Sequence, residues 1–89
     1  MVSPDAMKQL DELQADIRKA VVKTMKELED NPTKSRPKAD IKKLAGIKRK
    51  PSLYRLRAGE YRVIYEVTEG KVWISEIIKR SAAYKFIPP

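Results

Sequence analysis

The sequence predicts an α+β fold in which a helical hairpin packs on an antiparallel β-meander of three to four strands. Three observations carry this. Apolar residues recur at helical spacing between Ala6 and Leu28. From Leu53 onward, apolar and polar residues alternate at period two. Gly59 and Gly70 interrupt that alternation where tight hairpin turns belong. The 89 residues make one small domain. Its expected parts are helices at about 4–13 and 15–30, a connector at 31–50, a sheet at about 53–78 and a tail at 79–89.

Ser3-Pro4-Asp5 opens the first helix. Serine caps the free N–H groups, proline suits the first helical position, and Asp5 meets the positive end of the helix dipole. Ala6, Leu10 and Leu13 form its apolar stripe. The second helix carries Ile17, Ala20, Val21, Thr24, Met25 and Leu28 on one side, and Asn31-Pro32 ends it. Only Met1 and Val2 precede the cap, so a strand before the first helix is nearly absent, which predicts an exposed sheet edge. Asp40 to Leu44 reads as a short helical turn closed by Gly46. Lys48-Arg49-Lys50-Pro51 is a basic loop. Strands follow at about 53–57, 60–67 and 71–78, joined at Ala58-Gly59 and Glu69-Gly70. In the last strand Trp73 and Ile77 share one face, and Val72, Ile74 and Ile78 the other. Apolar groups on both faces predict a central or doubly covered strand, with Trp73 in the core.

Composition narrows the chemistry. The chain has no cysteine, which excludes disulfides, thiolate metal sites and thiol nucleophiles. It has no histidine, the commonest general base at neutral pH and the commonest metal ligand. The reading is therefore a protein without metal or cofactor. No apolar run approaches the ~20 residues of a membrane helix, and the N-terminus lacks a secretory pattern, so a cytoplasmic location is expected. The net charge is +8 and uneven. Residues 1–45 carry ten basic and eight acidic side chains, and residues 46–89 carry ten basic and four acidic. An excess concentrated in the C-terminal half points to an anionic partner.

That half contains Leu53-Tyr-Arg-Leu-Arg-Ala-Gly-Glu-Tyr-Arg-Val-Ile-Tyr65. Alternation sends Arg55 and Arg57 to the face opposite Leu56, and Arg62 to the face opposite Tyr61, Val63 and Tyr65. Arginine is costly to bury unpaired, and its forked donors match phosphate oxygens. Tyr54, Tyr61 and Tyr65 read as sheet and core residues. For Arg62 the alternative to phosphate is an ion pair with Glu66 or Glu76. For Lys48, Arg49 and Lys50 the alternative to RNA contact is a solvated loop.

Three segments, taken together, resemble the RelE/ParE superfamily of toxin–antitoxin toxins. They are Lys43-Leu44-Ala45-Gly46, Tyr54 to Tyr65, and Ile77-Ile78-Lys79-Arg80 followed by Tyr84. The order of elements is similar over nearly the whole chain. The resemblance implies a toxin neutralised by a cognate antitoxin, RelB-like and acidic or amphipathic. It also implies one of two targets: mRNA on the ribosome, cut by RelE-type members, or DNA gyrase, inhibited by ParE-type members. A basic RNA-binding module without catalysis is a further alternative. The RelE pattern places lysines on the first hairpin strand, where this chain has Arg55 and Arg57, and many cutting relatives carry a C-terminal histidine or glutamate.

Metal-free RNA cleavage needs a base for the 2′-hydroxyl, cations for the phosphorane and an acid for the leaving oxygen. Arg55, Arg57, Arg62 and Arg80 are the expected cationic cradle. Arginine is a poor base, so a lysine is expected to move the proton, with Lys79, Lys48 and Lys50 as candidates. Tyr84 matches the family's C-terminal tyrosine, which the resemblance assigns to base stacking and proton transfer. Glu60, at the turn, is the acidic group nearest the arginines.

Overall fold

A computed structural model describes residues 1–44 and 52–80. Three helical segments cover one face of a four-stranded antiparallel sheet in the order β1-β2-β3-β4. No helix among the described residues is long and apolar enough to cross a membrane.

Helix α1 is Pro4–Asp11, and Ser3 caps it by accepting from the Ala6 N–H at 3.1 Å. It buries Ala6 and Leu10 and packs along β4. The expected second helix is divided into α2, Ala15–Met25, and α3, Glu27–Asp30, with Lys26 between them. Only Val21 and Leu28 of its apolar stripe are fully buried, while Ala20 stays exposed and Ile17 retains 37% of its exposure. The stripe is therefore wider than the surface available to bury it.

Arg36 fastens the connector to the helix end. Its guanidinium donates to the carbonyls of Asn31, Lys34 and Glu27 at 2.9, 2.7 and 2.6 Å, and lies 3.6 Å from the Glu27 carboxylate. The segment expected as a helical turn is instead a strand, β1, Asp40–Lys43, paired with β2, Leu53–Ala58. Ile41 is its one buried side chain, so period two governs the segment. Strand β3, Tyr61–Thr68, follows a two-residue turn at Gly59-Glu60, one position later than expected. Gly59 has φ +61°, which glycine adopts without steric cost. Strand β4, Lys71–Lys79, follows Glu69-Gly70, both at positive φ.

Strand β4 departs from expectation in three ways. It lies at the end of the sheet order, not in its centre. Ile64 pairs with Glu76 while Tyr65 pairs with Ile74, so Ser75 is an extra residue that bulges from the ladder. The bulge shifts the alternation by one and brings Val72, Ile74 and Ile77 onto the helix side. Trp73, read as core, is 38% exposed.

Met1, Val2 and Ser3 cover the outer edge of β4. Val2 bridges Ile74 in parallel, with Ser3 N–H donating to the Ile74 carbonyl and Ile74 N–H to the Met1 carbonyl, each at 2.8 Å. Farther along, the Gln9 side chain takes over, accepting from Ile77 N–H at 2.7 Å and donating to Glu76 at 2.6 Å. The expected open edge is thus occupied from Val72 to Ile77 by the chain itself.

Leu56, Val63 and Tyr65 lie at the centre of the core, each fully buried. Tyr65 stacks on Tyr54, with centroids 5.7 Å apart, and its hydroxyl donates to the Pro32 carbonyl at 2.6 Å. Burial pushes the Tyr65 phenol well above the usual tyrosine range, and the nearby Tyr54 phenol acts in the same direction. Tyr65→Phe keeps the ring but orphans the Pro32 carbonyl, and is expected to cost about 1–2 kcal/mol in urea unfolding. Gln9→Ala is expected to cost a similar ~1–2 kcal/mol and to speed hydrogen exchange at the Ile77 amide, because the edge then loses its side-chain partner.

Candidate functional site

The sheet face away from the helices carries the arginines. Leu56 and Ala58 of β2 point into the core, so Arg55 and Arg57 project from the other side. On β3, Val63 and Tyr65 are core residues and Arg62 shares the arginine face. The hairpin register sets Arg57 directly opposite Arg62. Like charges placed opposite one another are unfavourable in a sheet, a cost that an anion held between the guanidiniums would offset.

Arg55 is in a different state from Arg57. It is 9% exposed and lies 3.5 Å from the Asp40 carboxylate, which is itself half exposed. Arg57 is exposed. Asp40 is the direct cross-strand neighbour of Arg57, so its carboxylate reaches diagonally to Arg55. Arg80 follows β4 at the hairpin-turn end, where its N–H donates to the Glu60 carbonyl at 2.7 Å. Ile64 and Leu53 are buried on this face and form an apolar floor beside the arginines.

The structure therefore brings Arg55, Arg57 and Arg62 onto one face and sets Arg80 at its corner. It places Lys79 elsewhere. Lys79 pairs with Tyr61 and, together with Ile17, Ala20, Thr24 and Tyr61, lines a groove of about 440 Å³ on the helix side. Lys79 is the last residue of β4, and Arg80 lies just beyond it. Lys48, Arg49, Lys50 and Tyr84 lie outside the described residues. Glu60 is exposed at the turn.

Two residues of this face escaped the sequence reading. Asp40, which engages Arg55, and Lys42, which is opposite Arg55 in register, both stand on β1. The available signal was the alternation of Asp40-Ile-Lys-Lys43 around one apolar residue.

Comparison with known proteins agrees with this architecture. Residues 1–84 match the family described as the ParE toxin of type II toxin–antitoxin systems, parDE. The fold is similar to a chain in the RelB–RelE antitoxin–toxin complex of Methanococcus jannaschii, with a TM-score of 0.75 and 25% identity over 99% of both chains. It is also similar to a chain in the archaeal RelE–RelB complex of Pyrococcus horikoshii OT3, with a TM-score of 0.72 and 31% identity, covering 89% of this chain and 90% of that one. No curated protein matches the sequence. A helix-covered antiparallel sheet with arginines on the face away from the helices, matched over nearly its whole length, identifies the chain as a toxin of type II toxin–antitoxin systems, a member of the RelE/ParE superfamily.

Proposed function

We propose that the toxin is a ribosome-dependent endoribonuclease that cuts mRNA and thereby blocks translation. The observation that carries this reading is the direct opposition of Arg57 and Arg62 on the face away from the helices, with Arg80 at the adjoining corner. Charge that accumulates on phosphate oxygens during 2′-hydroxyl attack is met there by fixed, permanently ionised donors. Arg55 acts mainly through position, because Asp40 neutralises part of its charge. Tyr84 engages a nucleobase, and Lys48 or Lys50 assists proton transfer with Arg49 alongside on the RNA. Lys79, on the helix side, takes no part in it. The ribosome supplies the substrate geometry that a face without an evident base lacks, since orientation alone lowers a barrier substantially.

A cognate RelB-like antitoxin neutralises the toxin. A groove of about 600 Å³ beside α2 and α3 is lined by Val22, Met25, Leu28, Val72 and Ile74. Lys26 and Glu29 also line it, and Arg18, Lys19 and Lys23 line a neighbouring groove on α2 that shares Val22 and Lys26. An acidic segment with aliphatic anchors suits that surface, and its coupled folding would also mask the basic charge.

The match to the ParE family favours a second reading, inhibition of DNA gyrase by binding. Inducible expression with primer-extension mapping of mRNA 5′ ends separates the two. Cuts at codon positions that disappear when translation is blocked support the nuclease. Growth arrest with intact mRNA and altered plasmid supercoiling supports gyrase inhibition. Arg62→Ala and Arg80→Ala are each expected to reduce cutting by at least about 10²-fold, the scale for loss of one charge-stabilising donor, with circular dichroism unchanged. Cutting that persists in both variants rejects the cradle assignment. Asp40→Asn is expected to tighten RNA binding and steepen its salt dependence, at a stability cost below about 1 kcal/mol because the carboxylate is half exposed.

A further inference from the structure

We propose that Lys42 extends the arginine face into an oblique phosphate track, so that the sheet grips a single-stranded RNA backbone on both sides of Arg55. The inference rests on the RNA reading above and goes beyond it by adding a binding residue on β1 and a direction for the strand.

Ile41 is a core residue, so its neighbours Asp40 and Lys42 project from the opposite face, and the contact between Asp40 and Arg55 fixes that side. Lys42 is exposed and directly opposite Arg55. From Lys42 on β1 the cations run to Arg55 and Arg57 on β2, to Arg62 on β3 and to Arg80 past the end of β4. Each step toward β4 stays level or moves toward the Gly59-Glu60 end, so the cations form a diagonal and not a cluster. Strands about 4.8 Å apart and a rise of about 3.3 Å per residue make this diagonal about 20 Å long. That length exceeds one phosphate and suits a short run of backbone.

Charge sharpens the track. Asp40 engages Arg55 at the middle of the diagonal, with exposed Lys42 on one side of it and exposed Arg57 on the other. Glu76 stands off the diagonal, on β4 in the cross-strand row of Arg55 and Ile64. Its negative charge disfavours a backbone that crosses the sheet straight along that row. Lysine is a compact point charge suited to holding a phosphate without demanding one orientation. Such a contact positions a strand where a forked arginine pair grips the reacting phosphate.

The test uses the purified toxin and a short single-stranded RNA with 2′-O-methyl riboses, which cannot be cut. Fluorescence anisotropy gives affinity across a series of KCl concentrations. Lys42→Ala is expected to weaken binding several-fold and to lower the slope of log K against log salt by about 0.7, the share of one phosphate contact on a single strand. Lys42→Arg is expected to restore both. Arg62→Ala is the control for the RNA reading. If Arg62→Ala weakens binding while Lys42→Ala leaves affinity and slope unchanged, the track is overturned and the RNA reading stands. A weakening by Lys42→Ala with no change of slope, or one that arginine does not rescue, also overturns it. Absence of salt-dependent binding by the wild-type chain overturns both.

Discussion

The register of the β2–β3 hairpin is the constraint on which the rest of the molecule depends. A two-residue turn at Gly59-Glu60 pairs Ala58 with Tyr61, Arg57 with Arg62 and Leu56 with Val63. Gly59 permits that turn because its φ of +61° suits a residue without Cβ. A slip of one residue would send a whole strand's side chains to the other face. Leu56 or Val63 would then leave the core, and an arginine would enter it. Correct burial of the apolar set and correct display of the arginines are therefore one event. The core cannot form with the cationic face disassembled.

The other end of the sheet solves a different problem. β4 is an edge strand, and an unpaired edge is an invitation to foreign strands. Here Met1, Val2 and Ser3 occupy one stretch and the Gln9 side chain the next. The Ser75 bulge belongs to the same solution. Its carbonyl accepts from the Ser3 hydroxyl at 2.9 Å, and its own hydroxyl donates to the Ile64 carbonyl at 3.2 Å. The bulge thus ties the N-terminus to β4 and turns Ile77 toward the helices.

Much of this was legible in the sequence. The cap at Ser3, both hairpins and the shared face of Arg55, Arg57 and Arg62 follow from local rules that nothing distant overrides. What escaped has physical reasons. β1 is four residues long with one buried side chain, so its pattern is too short to separate a strand from a turn, and Lys42 went unnoticed with it. The Ser75 bulge leaves no trace in composition, yet it reverses which residues of β4 face the core. Trp73 looked like a core residue because a large aromatic ordinarily is one. It lies on the outward phase that the bulge created. The length of the second helix misled in the other direction: the apolar stripe continues past Lys26, but the backbone pauses there.

The arginine face has one consequence for control. Guanidinium groups keep their charge throughout the physiological pH range, and the chain contains neither histidine nor cysteine. Neither acidification toward the histidine range nor thiol oxidation offers a means of switching the face off. Its field is always present while the protein is folded. Occupancy by another molecule can silence it, and the lifetime of that cover then sets the timing of its release.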